Sequence, residues 1–150
     1  MISLVSFVSA FCIMEFMAWF AHKFVMHGFL WSLHEDHHTK TPGFFEKNDF
    51  FFLMFAVPSF LLILFGSLAN YDWRFYFGAG IAAYGFAYAM MHEIIIHQRF
   101  KWLTRLRTPY IQAARRAHAD HHRVRTKEGC VSFGMLVFPR KYLKDQRARV

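Results

Sequence analysis

Three stretches of the chain are too long and too apolar to be folded away inside a water-soluble domain of this size. Residues 2–21, ISLVSFVSAFCIMEFMAWFA, carry one charge, Glu15. Residues 50–69, FFFLMFAVPSFLLILFGSLA, carry none, and neither do residues 75–91, FYFGAGIAAYGFAYAMM. About 20 apolar residues wound as a helix cross the hydrocarbon core of a bilayer. The spacing therefore predicts an all-α, integral membrane helical bundle, with 150 residues forming one domain. Pro58 is tolerable inside such a helix. Gly78, Gly80, Ala82, Ala83 and Gly85 would let neighbouring helices approach closely. No Lys or Arg precedes the first run and no small-x-small cleavage site follows it, so it reads as a retained span rather than a signal peptide. Residues 130–138, CVSFGMLVF, are too short to cross; they dip into the interface or pack over the site.

Charge orients the bundle. The formal net charge is +8, and Arg74 is the one basic residue between the second and third spans. Every other Lys and Arg lies in residues 22–49 or 92–150, which share one face of the membrane. The positive-inside rule puts that face in the cytoplasm and the N-terminus outside, as expected of a multi-pass protein of the cell (inner) membrane. The basic residues spread along a juxtamembrane region, where anionic headgroups account for them; they form no nucleic-acid reader. Cys12 and Cys130 are too few for a disulfide framework and read as unpaired.

All ten histidines fall in four clusters on that basic face. His22 and His27 have the spacing H-x4-H, then His34, His37 and His38 read H-x2-H-H. His92 and His97 repeat the first spacing, and His118, His121 and His122 repeat the second. On an α-helix the first histidine of H-x2-H-H converges with either of the others. The adjacent pair diverges by about 100°, so it can serve two neighbouring metals. The rings of H-x4-H sit about 140° apart on an α-helix, so they flank a site or share one where the helix end unwinds. A lone histidine at a membrane surface is usually structural, but ten in repeated spacings point to a pair of metal ions held almost wholly by imidazole, with one or another ring in a supporting position. Imidazole suits zinc, copper, iron and nickel. Glu35, Asp36, Glu93 and Asp120 are the nearby carboxylates; Glu35 and His38 make one Glu-x-x-His spacing, where the soluble di-iron bundles use two such motifs. HEIIIH spaces its histidines five apart, where a zinc protease needs four. Structural zinc, a bis-histidine haem and a non-enzymatic metal-binding protein stay open at this point.

The four-box order resembles the membrane-bound, histidine-rich non-haem hydroxylases and desaturases, in particular the fatty acid hydroxylase superfamily. HKFVMHGFLWSLHEDHH, FEKND at Phe45–Asp49, HQR at His97–Arg99 and KEGCVSFG at Lys127–Gly134 look like the bacterial beta-carotene hydroxylases within it. The resemblance runs from about Ala21 to Phe138. It implies two iron ions held by the ten histidines, and O2-dependent hydroxylation at C3 of the β-ionone ring. β-Carotene would become zeaxanthin through β-cryptoxanthin, with reduced ferredoxin as the external donor. An enzyme acting on fatty acyl or sterol chains is the alternative within the class. On this reading the histidine-rich cap faces the cytoplasm, and Asn48, Asp49 and Asp120 are candidates to hold the ligands through hydrogen bonds. Capping the helix that begins at Phe50 is the other role open to Asn48 and Asp49. Phe24, Phe29, Phe44 and Phe45 are candidates for the ring pocket, and Arg105, Arg107, Arg115 and Arg116 for donor docking.

Overall fold

A computed structural model describes residues 1–39 and 43–147. Residues 40–42 of the expected 22–49 segment and residues 148–150 of the second lie outside the described residues. Every regular element among the described residues is helical. Helix α1 covers Ile2–Phe20 and runs on into a π-helical stretch, Ala21–Phe29. Helix α2, Trp31–Thr39, follows after a break at Gly28, whose φ of −108° and ψ of −123° leave helical space. A 3-10 turn, Lys47–Asp49, leads into α3, Phe50–Leu68. Helix α4, Trp73–Ala89, returns antiparallel and ends in a second π-helical stretch, Met90–Ile96. Helix α5, Pro109–His122, and α6, Lys141–Arg147, complete the chain.

Three helical stretches, Ile2–Phe29, Lys47–Leu68 and Trp73–Ile96, are long and apolar enough to cross a membrane. They contain the three expected runs, and the first and third extend past them to carry His22, His27 and His92. Phe16, Phe52, Phe60, Phe65 and Leu68 stand exposed on α1 and α3. So broad an apolar surface is stable against lipid and not against water.

Helix α4 is the centre of the bundle, packed against both α1 and α3. Its small residues act on two different faces. A Cβ at Gly78 would come within 2.8 Å of the Ser59 carbonyl of α3, and one at Gly80 would collide with the Phe7 carbonyl of α1. Ser59 also donates its hydroxyl to the Gly78 carbonyl at 2.8 Å. Gly85, expected to serve the same packing, has nothing within 4 Å of where a Cβ would stand. It borders a cavity instead. Outside the spans, Met91 and Ile95 pack with Ile111, Ala113, Ala114 and Ala117 of α5, and with Met135, Phe138 and Tyr142. That small core fastens the histidine-bearing α5 to the end of α4.

Candidate metal centre

The two π-helical stretches decide the geometry. Where i→i+5 hydrogen bonds replace i→i+4, residues five apart come onto one face. The His97 amide donates to the His92 carbonyl at 2.8 Å, a bond of that kind. His22 and His27 converge on one site in the same way, with ring centroids 5.3 Å apart. The 140° separation expected on an α-helix therefore does not arise; the helix widens at both span ends instead of unwinding.

The histidines assemble into two groups. His22, His27, His34, His38 and His121 form one, and His37, His97, His118 and His122 the other, the nitrogens of each lying within 4.8 Å of one another. His92 stands at the edge of the second group, its Nε2 3.1 Å from that of His37. The adjacent pairs divide as α-helical geometry requires: His37 leaves His34 and His38, and His121 leaves His118 and His122. Each half of the sequence thus supplies most of one group and lends one histidine to the other. The groups meet where His38 and His122 stack, 4.4 Å between centroids and 15° between planes.

Hydrogen bonds fix the tautomers. His22, His27, His38 and His121 donate from Nδ1 to the carbonyls of Phe133, Lys127, Val124 and Val131, at 2.9, 3.1, 2.9 and 2.9 Å. His34 Nδ1 donates to Asn48 Oδ1 at 2.6 Å, His37 Nδ1 to Glu46 at 2.7 Å and His92 Nδ1 to Glu93 at 2.6 Å. A neutral imidazole has one N–H, so in each of these rings Nε2 presents a bare lone pair. Those lone pairs face one another: His27 against His121 at 3.2 Å, His34 against His38 at 3.3 Å, His37 against His92 at 3.1 Å. His22 and His122 have buried Nε2 atoms with no hydrogen-bond partner. Converging acceptors with no proton between them need a cation. Nitrogens bound to one ion at about 2.1 Å lie up to about 4.2 Å apart, a limit the facing pairs at 3.1, 3.2 and 3.3 Å meet, so the donor set fits a metal pair.

Protonation does not relieve this arrangement. Burial pushes the pKa of His38 down to about 4, of His121 to about 3 and of His34 to about 2. His118 and His122 are lowered as well, by burial and then by the neighbouring imidazoles, His122 first for His118 and His37 first for His122. Glu46 is held below the usual carboxylate range, first by its hydrogen bond with His37. Arg99 ties the carboxylates together, reaching Asp49 and Glu93 at 3.0 Å and Glu46 at 3.4 Å.

The structure sorts the remaining candidates. Asn48 bonds a ring directly. Asp49 has its bonds to Arg99 and to the Glu46 amide, closing a capping box, and touches no histidine. Asp120 lies two residues past His118, about 200° round the helix. It faces Tyr142 and Arg123 instead, at 3.0 and 2.9 Å. Glu46 and the four carbonyls escaped sequence reasoning. FEKND contains Glu46, but nothing in the residue types marks main-chain acceptors.

An apolar cavity of about 780 Å³ opens from the histidines into the bundle. His22, His34, His37 and His92 form its upper end, and Phe51, Phe55, Tyr84 and Tyr88 are among its walls. Along α3 the lining runs from Phe51 to Ile63, about 18 Å at 1.5 Å per residue. Of the four proposed phenylalanines only Phe45 borders it. Phe24 packs on Trp19 and Phe20, Phe29 is 77% exposed beyond the Gly28 break, and Phe44 packs on Phe45 and Phe100. Aromatic count carries no direction; the wall comes from α3 and α4. Arg115 and Arg116 turn inward to the carbonyls of Ile95 and Tyr142, leaving Arg105 and Arg107 exposed.

The sequence profile of the fatty acid hydroxylase family matches residues 7–139. The chain is 44% identical over 126 residues to the beta-carotene hydroxylase of Pantoea ananas, covering 84% of this chain and 71% of that protein. It is 41% identical over 125 residues to the beta-carotene hydroxylase of Pseudescherichia vulneris, covering 82% and 69%. Against the beta-carotene hydroxylase of Paracoccus sp. (strain PC1) it is 33% identical over 135 residues, covering 88% and 82%. No solved structure matches the chain.

Proposed function

The chain belongs to the fatty acid hydroxylase family, and from that premise we propose that it hydroxylates C3 of the β-ionone rings of β-carotene, giving zeaxanthin through β-cryptoxanthin. One ring C–H, O2, two electrons and two protons become C–OH and water. The observation that carries the metal-dependent half is the set of bare Nε2 lone pairs, each with its proton held on Nδ1. The ten histidines hold two iron ions, which supply oxygen activation when bound.

The remaining work falls to the chain itself. Asn48, Glu46, Glu93 and the four carbonyls keep each proton on Nδ1 and so keep Nε2 free for metal. The cavity walls receive the ring in an apolar slot beneath the histidines. Helices α1 and α3 both pack on α4, with no comparable packing between themselves among the described residues. The slot is therefore open sideways to the bilayer, where a carotenoid dissolves. The histidine end faces the cytoplasm of the cell membrane, as the basic residues favour. Reduced ferredoxin delivers the electrons there, with Arg105 and Arg107 available to its acidic surface.

Expression in cells that accumulate β-carotene, followed by pigment chromatography, tests the reading. β-Cryptoxanthin and zeaxanthin are expected. Absence of any hydroxylated pigment, with the chain in the membrane and a reductant supplied, would defeat the substrate assignment.

A further inference from the structure

Glu15 is the one charge in the first span, and none of the chemistry above uses it. Seven residues before His22, it lies about 10 Å down α1. An ionisable side chain at that depth needs partners, and three donors supply them. The Val137 amide reaches Oε1 at 2.8 Å, the Leu136 amide reaches Oε2 at 3.3 Å, and the Tyr84 hydroxyl reaches Oε2 at 2.8 Å. Glu15 therefore fastens a turn of the segment after α5 to α1 and α4 at once. The segment is further tied where Tyr110 donates to the Leu136 carbonyl at 2.6 Å, and where Met135 and Phe138 are buried.

The same segment, a few residues earlier, carries the four carbonyls that orient His38, His27, His121 and His22. Phe133 also packs its ring against His22, His27 and His121, at centroid distances of 5.5, 5.3 and 5.2 Å. Residues 124–139 contain no regular helix or strand. Of the four carbonyls that orient histidines, that of Val124 has a described polar contact from within the segment, a long one of 3.8 Å from the Cys130 thiol. The position of the strap therefore depends mainly on its ends: α5 on one side, and the turn docked on Glu15 on the other. The second histidine group takes no described support from this segment.

We infer that Glu15 is a positioning residue for the first histidine group: it docks the 134–137 turn, which holds the 124–133 strap whose carbonyls orient four of the five imidazoles. The inference rests on the metal-centre reading. It predicts that the two groups respond differently to a change about two helical turns away in the membrane. Removing the carboxylate releases the strap, frees four imidazoles to rotate or change tautomer, and leaves His37, His97, His118 and His122 as they were.

The test is anaerobic titration of the metal-free, full-length chain in lipid nanodiscs with ferrous iron. Bound iron per chain is measured, together with hydrogen exchange at residues 131–137. The wild-type chain should take up two ions. Glu15→Ala should retain one ion tightly and bind the second at least tenfold more weakly. Glu15→Gln keeps one acceptor oxygen and should fall between them. In both variants residues 131–137 should exchange faster even before iron is added, which separates the latch from the metal reading. Two ions bound as in wild type, with unchanged exchange, would overturn the latch alone. Equal weakening of both ions would overturn it too, because a general packing role gives that result. If Glu15→Ala does not accumulate, Glu15→Gln decides by the same criteria. A wild-type chain that takes up no iron would remove the metal centre and the latch together.

Discussion

In the first histidine group four of five imidazoles donate to main-chain carbonyls of residues 124–133, and the fifth to Asn48. In the second, His37 and its neighbour His92 donate to Glu46 and Glu93, which Arg99 draws together. The same two spacings thus build two sites with opposite support. Carbonyls are neutral and set by the path of the chain, so they act together or fail together. Carboxylates are charged, and here each holds a single ring; they make that imidazole more basic and a stronger donor to metal. The lent residues, His121 and His37, keep the difference from becoming independence, because neither group is complete without the other half of the sequence.

The largest effect should come from those exchanged ligands. His121→Ala and His37→Ala should each reduce zeaxanthin formation to background by pigment chromatography. Each should weaken iron at the group fed mainly by the other half; retained activity in either would take that residue off the ligand set. Next in size, Glu93→Gln or Glu46→Gln should weaken iron about 10–100-fold at the second group alone, read by competition with a chelator. Equal weakening at both would erase the distinction drawn here. Asn48→Leu removes one support of five from the first group and should cost about tenfold or less there. Acid produces the most gradual change. Burial holds the pKa values of His38 and His121 in the folded chain below the ordinary histidine value of about 6.5, so the unfolded chain takes up protons first. The metal-free fold is then most stable above pH 6.5 and loses stability as pH falls toward about 4 for His38 and about 3 for His121. Each imidazole shifts the folding equilibrium by up to about tenfold per pH unit in that window. A thermal midpoint that stays flat from pH 7 to pH 4.5 would contradict the buried, neutral state of these rings.

The division of His37 from His38, and of His121 from His122, was legible in the sequence because it follows from α-helical pitch alone. The convergence of His22 with His27 was not, since it depends on π-helical turns that H-x4-H does not announce. The spans were legible because apolar length decides them. Which phenylalanines face the slot was not, because lipid and cavity select the same residue types. Asp49 and Asp120 looked available by proximity in sequence; capping and a 200° rotation along α5 spend them elsewhere. The strap was invisible for a simpler reason. Its acceptors are peptide carbonyls, which every residue has.

The crossing of α3 and α4 at Ser59 and Gly78 has a consequence for the order of events. On α4 the cavity lining lies wholly on the histidine side of that crossing, from Ile81 up to Glu93, while on α3 it runs on past Ser59 to Ile63. A slot lined over about 18 Å, with the histidines at one end, holds one end of a long, rigid molecule. β-Carotene carries its two rings at opposite ends of a polyene, so while one ring lies under the histidines the other remains outside. The singly hydroxylated pigment must withdraw into the bilayer and turn round before its second ring can be reached. Zeaxanthin is then the product of two separate visits, and the intermediate mixes with the membrane pool between them. Its accumulation should follow how crowded that pool is with fresh β-carotene.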